Sequence, residues 1–118
     1  MTAEIISGNA VAATMREEMK KEVAELKDKH GVTPGLAVVL IGEDPASQVY
    51  VKNKVKTCGE LEINSFEFRK PKDFPEADLL KLIDDLNKDP KVDGILVQLP
   101  LPKHINEEKV LLAIDPAK

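Results

Sequence analysis

The chain has 118 residues, 42% of them hydrophobic and 32% charged, which is one domain's worth of an ordinary globular mix. Its 17 cationic side chains against 21 anionic ones leave a net charge of −4, and with no basic block this argues against a chain that wraps nucleic acid. Three Phe, one Tyr and no Trp make a stacking platform for single strands a poor fit as well.

In chain order, Val11, Met15, Met19, Val23 and Leu26 recur at helical spacing and form one stripe of a long amphipathic helix. Ser7 or Asn9 can cap its start and Gly31 fits its end. After the turn Thr33-Pro34-Gly35, the run Leu36 to Ile41 reads as a strand buried on both faces, as in a parallel sheet. It is the longest fully apolar run in the chain and falls far short of a membrane span. Asp44 and Pro45 then supply the cap and first position of a second helix that runs to about Leu61. Ser65 to Phe68 is a weaker strand, and the segment from Lys70 to Pro75 is a loop. Ala77, Leu80, Ile83 and Leu86 mark a third helix, closed by Asp89-Pro90. Gly94 to Leu99 reads as a second buried strand that Pro100 and Pro102 break, and Glu107 to Ile114 as a last short helix.

Strands alternating with helices predict an α/β fold with a mostly parallel sheet flanked by helices. Ligands of such sheets sit beyond the carboxyl ends of the strands. That directs attention to the loop after Ile41, with the helix it feeds, and to Gln98 with the prolines behind it.

Two residues there are unusual for their positions. On a helical wheel of about 100° per residue, Leu61, Lys54, Ser47, Cys58, Val51 and Val55 fall within about 20° to 140° of Tyr50, whereas Lys52, Lys56 and Glu60 lie on the far side. Lys54 therefore stands inside an apolar arc. Burying an ammonium is costly unless it is paired or loses its proton, and desolvation lowers a lysine pKa toward the range of a usable general base. The bland alternative is a side chain that lies along the rim with its charge in water. Tyr50, one turn earlier on the same face, can stack on a flat ligand or serve as an ordinary boundary tyrosine. Gln98 ends an apolar run: if Ile95, Val97 and Leu99 face one layer, Gln98 faces the other and needs a partner there, either the lysine amine, a ligand or nearby backbone. Pro100 and Pro102 make a stiff lip or a plain strand stop.

Other candidates carry less. His104 has no evident partner, Cys58 reads as a small core hydrophobe, and Asp84-Asp85 as a solvated helix face. The single cysteine excludes an internal disulfide and a cysteine-based zinc site, and with His30 and His104 far apart no metal is expected. No G-x-G-x-x-G motif and no P-loop is present. The lack of an apolar N-terminal segment points to the cytoplasm.

The stretch Asp44-Pro45-Ala46-Ser47-Gln48-Val49-Tyr50-Val51-Lys52-Asn53-Lys54, with Cys58 after it, resembles a signature of the bifunctional methylenetetrahydrofolate dehydrogenase/methenyltetrahydrofolate cyclohydrolase family. So does Asp93-Gly94-Ile95-Leu96-Val97-Gln98-Leu99-Pro100-Leu101-Pro102, and the order and gap of the two stretches match as well. The resemblance implies an N-terminal folate-binding catalytic domain over residues 1–118, followed in the family by a C-terminal NADP- or NAD-binding Rossmann domain that this chain lacks. It implies oxidation of 5,10-methylene-tetrahydrofolate and hydrolysis of 5,10-methenyl-tetrahydrofolate to 10-formyl-tetrahydrofolate, and a full-length homodimer.

By the same resemblance Lys54, Tyr50 and Gln98 are catalytic, and Ser47 is a helper near the lysine. Tyr50, Val51, Lys52, Asn53, Lys54, Val97, Gln98, Leu99 and Pro100 contact tetrahydrofolate, and no residue of this chain holds a cofactor or metal. Two departures stand out: Glu62 occupies a position where the family usually has Gly, and the chain stops at Lys118, where the family continues into an Asp-containing segment and the Rossmann domain. The alternatives are the catalytic domain of another two-domain dehydrogenase, of amino-acid or shikimate type, and a stand-alone folate-binding module.

Overall fold

The computed structural model describes residues 2–118. Helices and strands alternate as α1 (Gly8–His30), β1 (Gly35–Ile41), α2 (Pro45–Glu60), β2 (Asn64–Lys70), α3 (Glu76–Lys88), β3 (Gly94–Val97) and α4 (Glu107–Ala113). The strands form one parallel sheet in the order β2-β1-β3. Its centre falls to β1 because that strand is apolar on both faces. Ala37, Val39 and Ile41 pack with Leu79, Ile83 and Leu86 of α3, while Val38 and Leu40 pack with Val51 of α2. The α/β class and the parallel sheet are those the alternation predicts.

The boundaries differ in instructive ways. β2 extends past Phe68 through Lys70, which the sequence reading gives to a loop, because every residue from Asn64 to Lys70 finds a ladder partner in β1. β3 stops at Val97, short of the expected Leu99. The Gln98 N–H still donates to the Val39 carbonyl at 2.9 Å, but Leu99 leads through a cis peptide into Pro100 and leaves the ladder. The buried face of α3 is Leu79, Ile83 and Leu86, with Leu80 half-buried and Ala77 exposed, so that helix is turned from the predicted stripe. α4 ends one residue early, at Ala113.

Both expected ends of α1 are present: the Ser7 hydroxyl accepts from the Ala10 N–H at 3.2 Å, and Gly31 closes the helix at φ 64°. The expected burial of its stripe is not. Only Val23 is buried, whereas Val11 and Met15 are 51% and 54% exposed. Helical periodicity marks the apolar side of a helix without saying what covers it. Near its C-terminal end α1 meets the turn after α2, where the Lys27 ammonium lies 3.8 Å from the Glu62 carboxylate.

That turn explains the unusual residue at position 62. Glu62 sits at φ 60°, in the left-handed region, and the Ile63 N–H donates back to the Cys58 carbonyl at 2.8 Å to close α2. A side chain at such a φ costs about 1–2 kcal/mol relative to Gly, and the exposed contact to Lys27 returns little of it. Glu62→Gly is therefore expected to stabilise the chain by about 0.5–1 kcal/mol in urea unfolding. An unchanged or lower midpoint would mean that the strain is absent.

Candidate active site

The site begins at the carboxyl end of β1. Asp44 caps α2 with one oxygen, Oδ2, which accepts from both the Ser47 N–H and the Ser47 hydroxyl at 2.9 Å. Ser47 is 2% exposed, and its Oγ also lies 3.4 Å from the Leu99 carbonyl oxygen. The start of α2 is thus fixed against the segment that follows β3. Along the helix, Tyr50 and then Lys54 come round on the same side, and the Lys54 Nζ lies 5.9 Å from the Tyr50 ring centroid.

Lys54 meets Gln98 there, its Nζ donating to Oε1 at 2.6 Å. The strand pattern explains why they meet. Ile95 and Val97 pack on the α3 side of the sheet and Leu96 on the α2 side, so the next alternation brings Gln98 to the α2 side. The Gln98 Nε2 donates to the Leu99 carbonyl at 3.2 Å. A carbonyl only accepts, which assigns the NH₂ to Leu99 and leaves Oε1 for the lysine. One N–H of the amine is thereby committed to the carboxamide. In the neutral amine the lone pair then points elsewhere, free for a proton. Lys54 is half-buried and Tyr50 is 57% exposed, so the apolar arc covers the amine on one side only.

The remaining predicted contacts divide. Leu99 and Pro100 are exposed and rim the Lys54–Gln98 pair. Val51 is fully buried with Val38 and Leu40, and Val97 belongs to the core on the other face of the sheet, so both brace the site from behind. Lys52 and Asn53 are exposed, and neither hydrogen-bonds to Lys54 or Gln98 among the described residues. Cys58 is buried, and desolvation pushes its thiol pKa up, which makes it unreactive. His104 is exposed and donates from Nε2 to the Phe74 carbonyl at 2.8 Å.

The sequence reading recognised Asp44 as a cap but missed its second bond, to the Ser47 hydroxyl. The i, i+3 spacing of a cap with a serine was the available signal. It missed the Leu99 carbonyl altogether, because backbone acceptors carry no residue signature.

Among the described residues no cluster of three or more His, Cys, Asp or Glu could hold a metal. The N-termini of α2, α3 and α4 do not offer the free helix end that the phosphates of a nicotinamide dinucleotide favour. The N-terminus of α2 is filled by the Asp44 carboxylate, that of α3 carries Glu76 and Asp78, and that of α4 carries Glu107 and Glu108.

The Lys54–Gln98 pair, between the helix that follows the central strand and the end of β3, lies where open α/β sheets bind their ligands. The family model described as the tetrahydrofolate dehydrogenase/cyclohydrolase catalytic domain matches residues 6–118, and the chain belongs to that family. It is 60% identical over 118 residues to a bifunctional FolD protein of Ruegeria pomeroyi, covering all of this chain and 40% of that one. Among solved structures it is similar to the bifunctional FolD enzyme of Campylobacter jejuni, with a TM-score of 0.90, 45% identity and coverage of 92% of this chain and 38% of that one. It is also similar to the Trypanosoma brucei FolD structure, solved with NADP cofactor and inhibitor, with a TM-score of 0.91, 34% identity and coverage of 98% and 40%. The chain spans about 40% of the length of the curated relatives it matches. The match decides for the folate family over an amino-acid or shikimate dehydrogenase.

The Asp44 cap has a measurable signature. The Ser47 N–H, and then the Ser47 hydroxyl, hold the Asp44 carboxyl below its ordinary pKa of 3.8. A depressed carboxyl pKa contributes stability that is present above the unfolded value and lost as pH falls through the folded one. Asp44→Ala is therefore expected to be less stable than the parent sequence by a constant margin at neutral and mildly acidic pH, with the margin closing below 3.8. Urea unfolding at a series of pH values checks this, and a margin that persists at pH ~2 would remove the carboxylate from the cap.

Proposed function

We propose that residues 1–118 are the N-terminal folate-binding catalytic domain of a longer parent. That parent oxidises 5,10-methylene-tetrahydrofolate with NADP and hydrolyses 5,10-methenyl-tetrahydrofolate to 10-formyl-tetrahydrofolate in one-carbon metabolism. The observation that carries the reading is the 2.6 Å bond from the Lys54 amine to the Gln98 carboxamide beside the open face of Tyr50, in a chain of this family.

Hydrolysis needs a base for water and a proton for the departing ring nitrogen. Lys54 in its neutral form removes a proton from the water that adds to the methenyl carbon. It returns that proton as the bond from this carbon to the ring nitrogen breaks, leaving the formyl group on the other nitrogen. An ammonium in the same place would repel the cationic substrate. Gln98 orients the amine, Tyr50 lies along the folate, and Leu99 and Pro100 border it. Ser47 supports the lysine from the start of α2 through the Leu99 carbonyl. In the oxidation this chain holds and aligns the folate. By the family resemblance the dinucleotide belongs to a Rossmann domain in the rest of the parent. The family resemblance supports a homodimeric parent, which we place in the cytoplasm.

In the full-length parent, Lys54→Met is expected to lower methenyl hydrolysis at least about 100-fold with an unchanged melting temperature. Hydrolysis at the normal rate would remove Lys54 from the mechanism. Gln98→Ala is expected to displace the pH–rate profile of the same reaction, because the amine loses its one fixed acceptor. Superimposable profiles would dissolve the proposed pairing.

A further inference from the structure

We infer that Glu107 is a positioning residue for the Lys54–Gln98 pair: its carboxylate holds the backbone at Leu101 and thereby sets the Leu99 carbonyl on which the Gln98 carboxamide is oriented. The inference rests on the hydrolysis proposed above and adds to it a residue from outside the two motif stretches.

Glu107 opens α4, where an acidic side chain ordinarily does no more than face the helix N-terminus. Glu108, beside it in the first turn, is exposed and suits that role. Glu107 is half-buried instead, and its Oε1 reaches back six residues to accept from the Leu101 N–H at 3.0 Å. Leu101 is buried, so without that oxygen the N–H of a core residue would lack its acceptor, a heavier loss than that of a surface contact. The helix that carries Glu107 is itself fixed. Val110 belongs to the same core as Leu79 and Ile83 of α3, and the Asn87 Nδ2 donates to the Ala113 carbonyl at 2.9 Å. The Glu76 carboxylate accepts from the Asn106 N–H at 2.8 Å and lies 3.2 Å from the Lys109 ammonium.

From this anchor the chain has little freedom on its way to the lysine. Glu107 holds Leu101, and the Val39 carbonyl holds Gln98 by accepting its N–H at 2.9 Å. Only Leu99 and Pro100 lie between, and the proline ring removes one of the free dihedrals of that span. The Leu99 carbonyl is therefore located from both ends. It accepts from the Gln98 Nε2 at 3.2 Å, which turns Oε1 toward the Lys54 amine at 2.6 Å. Releasing Leu101 frees that carbonyl, lets the carboxamide rotate and loosens the direction of the amine. It does so without touching α2, β1 or the register of Gln98.

The test follows hydrolysis of 5,10-methenyl-tetrahydrofolate by the full-length parent across pH. Glu107→Ala is expected to lower kcat about tenfold and to displace the pH–rate profile in the same sense as Gln98→Ala. Glu107→Gln, whose amide oxygen still accepts from Leu101, keeps the parent profile, and so does Glu108→Ala. Glu107→Asp retains a carboxylate at the helix start but is one methylene shorter, so it gives the alanine displacement with a melting temperature near that of the parent. Added to Gln98→Ala, Glu107→Ala produces little further change, because both act through one carboxamide. A parent-like kcat and profile in Glu107→Ala or Glu107→Asp, or effects of Glu107→Ala and Gln98→Ala that simply multiply, overturns the proposal and leaves the folate reading standing. A parent that does not hydrolyse the methenyl form overturns both.

Discussion

The site depends on one contact, the hydrogen bond between an amine on α2 and a carboxamide just past β3. Its partners are 44 residues apart in sequence, so neither local propensity nor helix periodicity can make it. Two packing facts do. Val51, one turn before Lys54's neighbour Val55, is fully buried with Val38 and Leu40, which fixes how far α2 rotates about its axis. The Val39 carbonyl takes the Gln98 N–H at 2.9 Å, which fixes the register of the strand's last residue. A slip of one residue in that register would send Gln98 to the α3 face and leave the amine without its acceptor. The core of the sheet therefore sets the geometry of the Lys54–Gln98 pair.

The choice of a carboxamide matters as much as its position. A carboxylate at position 98 would also accept from the lysine, but it would favour the ammonium form and remove the lone pair that the proposed hydrolysis needs. An amide orients the amine at no such electrostatic cost. It also brings its own directional constraint, because its NH₂ has an acceptor in the Leu99 carbonyl and its oxygen is left to face Lys54. The acid that caps α2, Asp44, has its accepting oxygen engaged by Ser47, which commits its negative charge to the start of the helix.

Much of this was legible in the residues. The two-faced apolar run at Leu36–Ile41 predicted the central strand, Asp44-Pro45 the start of α2, and the wheel singled out Lys54 from its neighbouring lysines. The alternation after Gly94 predicted which face Gln98 takes. Tertiary context decided the rest. Lys70 joins β2 only because Ile41 is there to pair with it. Leu99 drops out of β3 where the backbone turns into Pro100. Val51 and Val97 stand beside motif residues and share their sequence signal, yet their side chains point into the core, and a motif read along the chain does not separate a residue that touches a ligand from one that supports its neighbour. The left-handed Glu62 was visible as a departure from a Gly position, although its φ was not.

The exposure of Tyr50 and the partial burial of Lys54 bear on how the work is divided. Positioning and water exclusion are separate demands on a site. Here the first is met within the chain: the amine, its acceptor and the cap behind them are held by backbone and core. The second is not met by these elements, since the aromatic ring and the rim at Leu99 and Pro100 stand open. Whatever closes over the ring changes the dielectric around an amine whose geometry is already set, and electrostatic effects between fixed groups strengthen when water leaves.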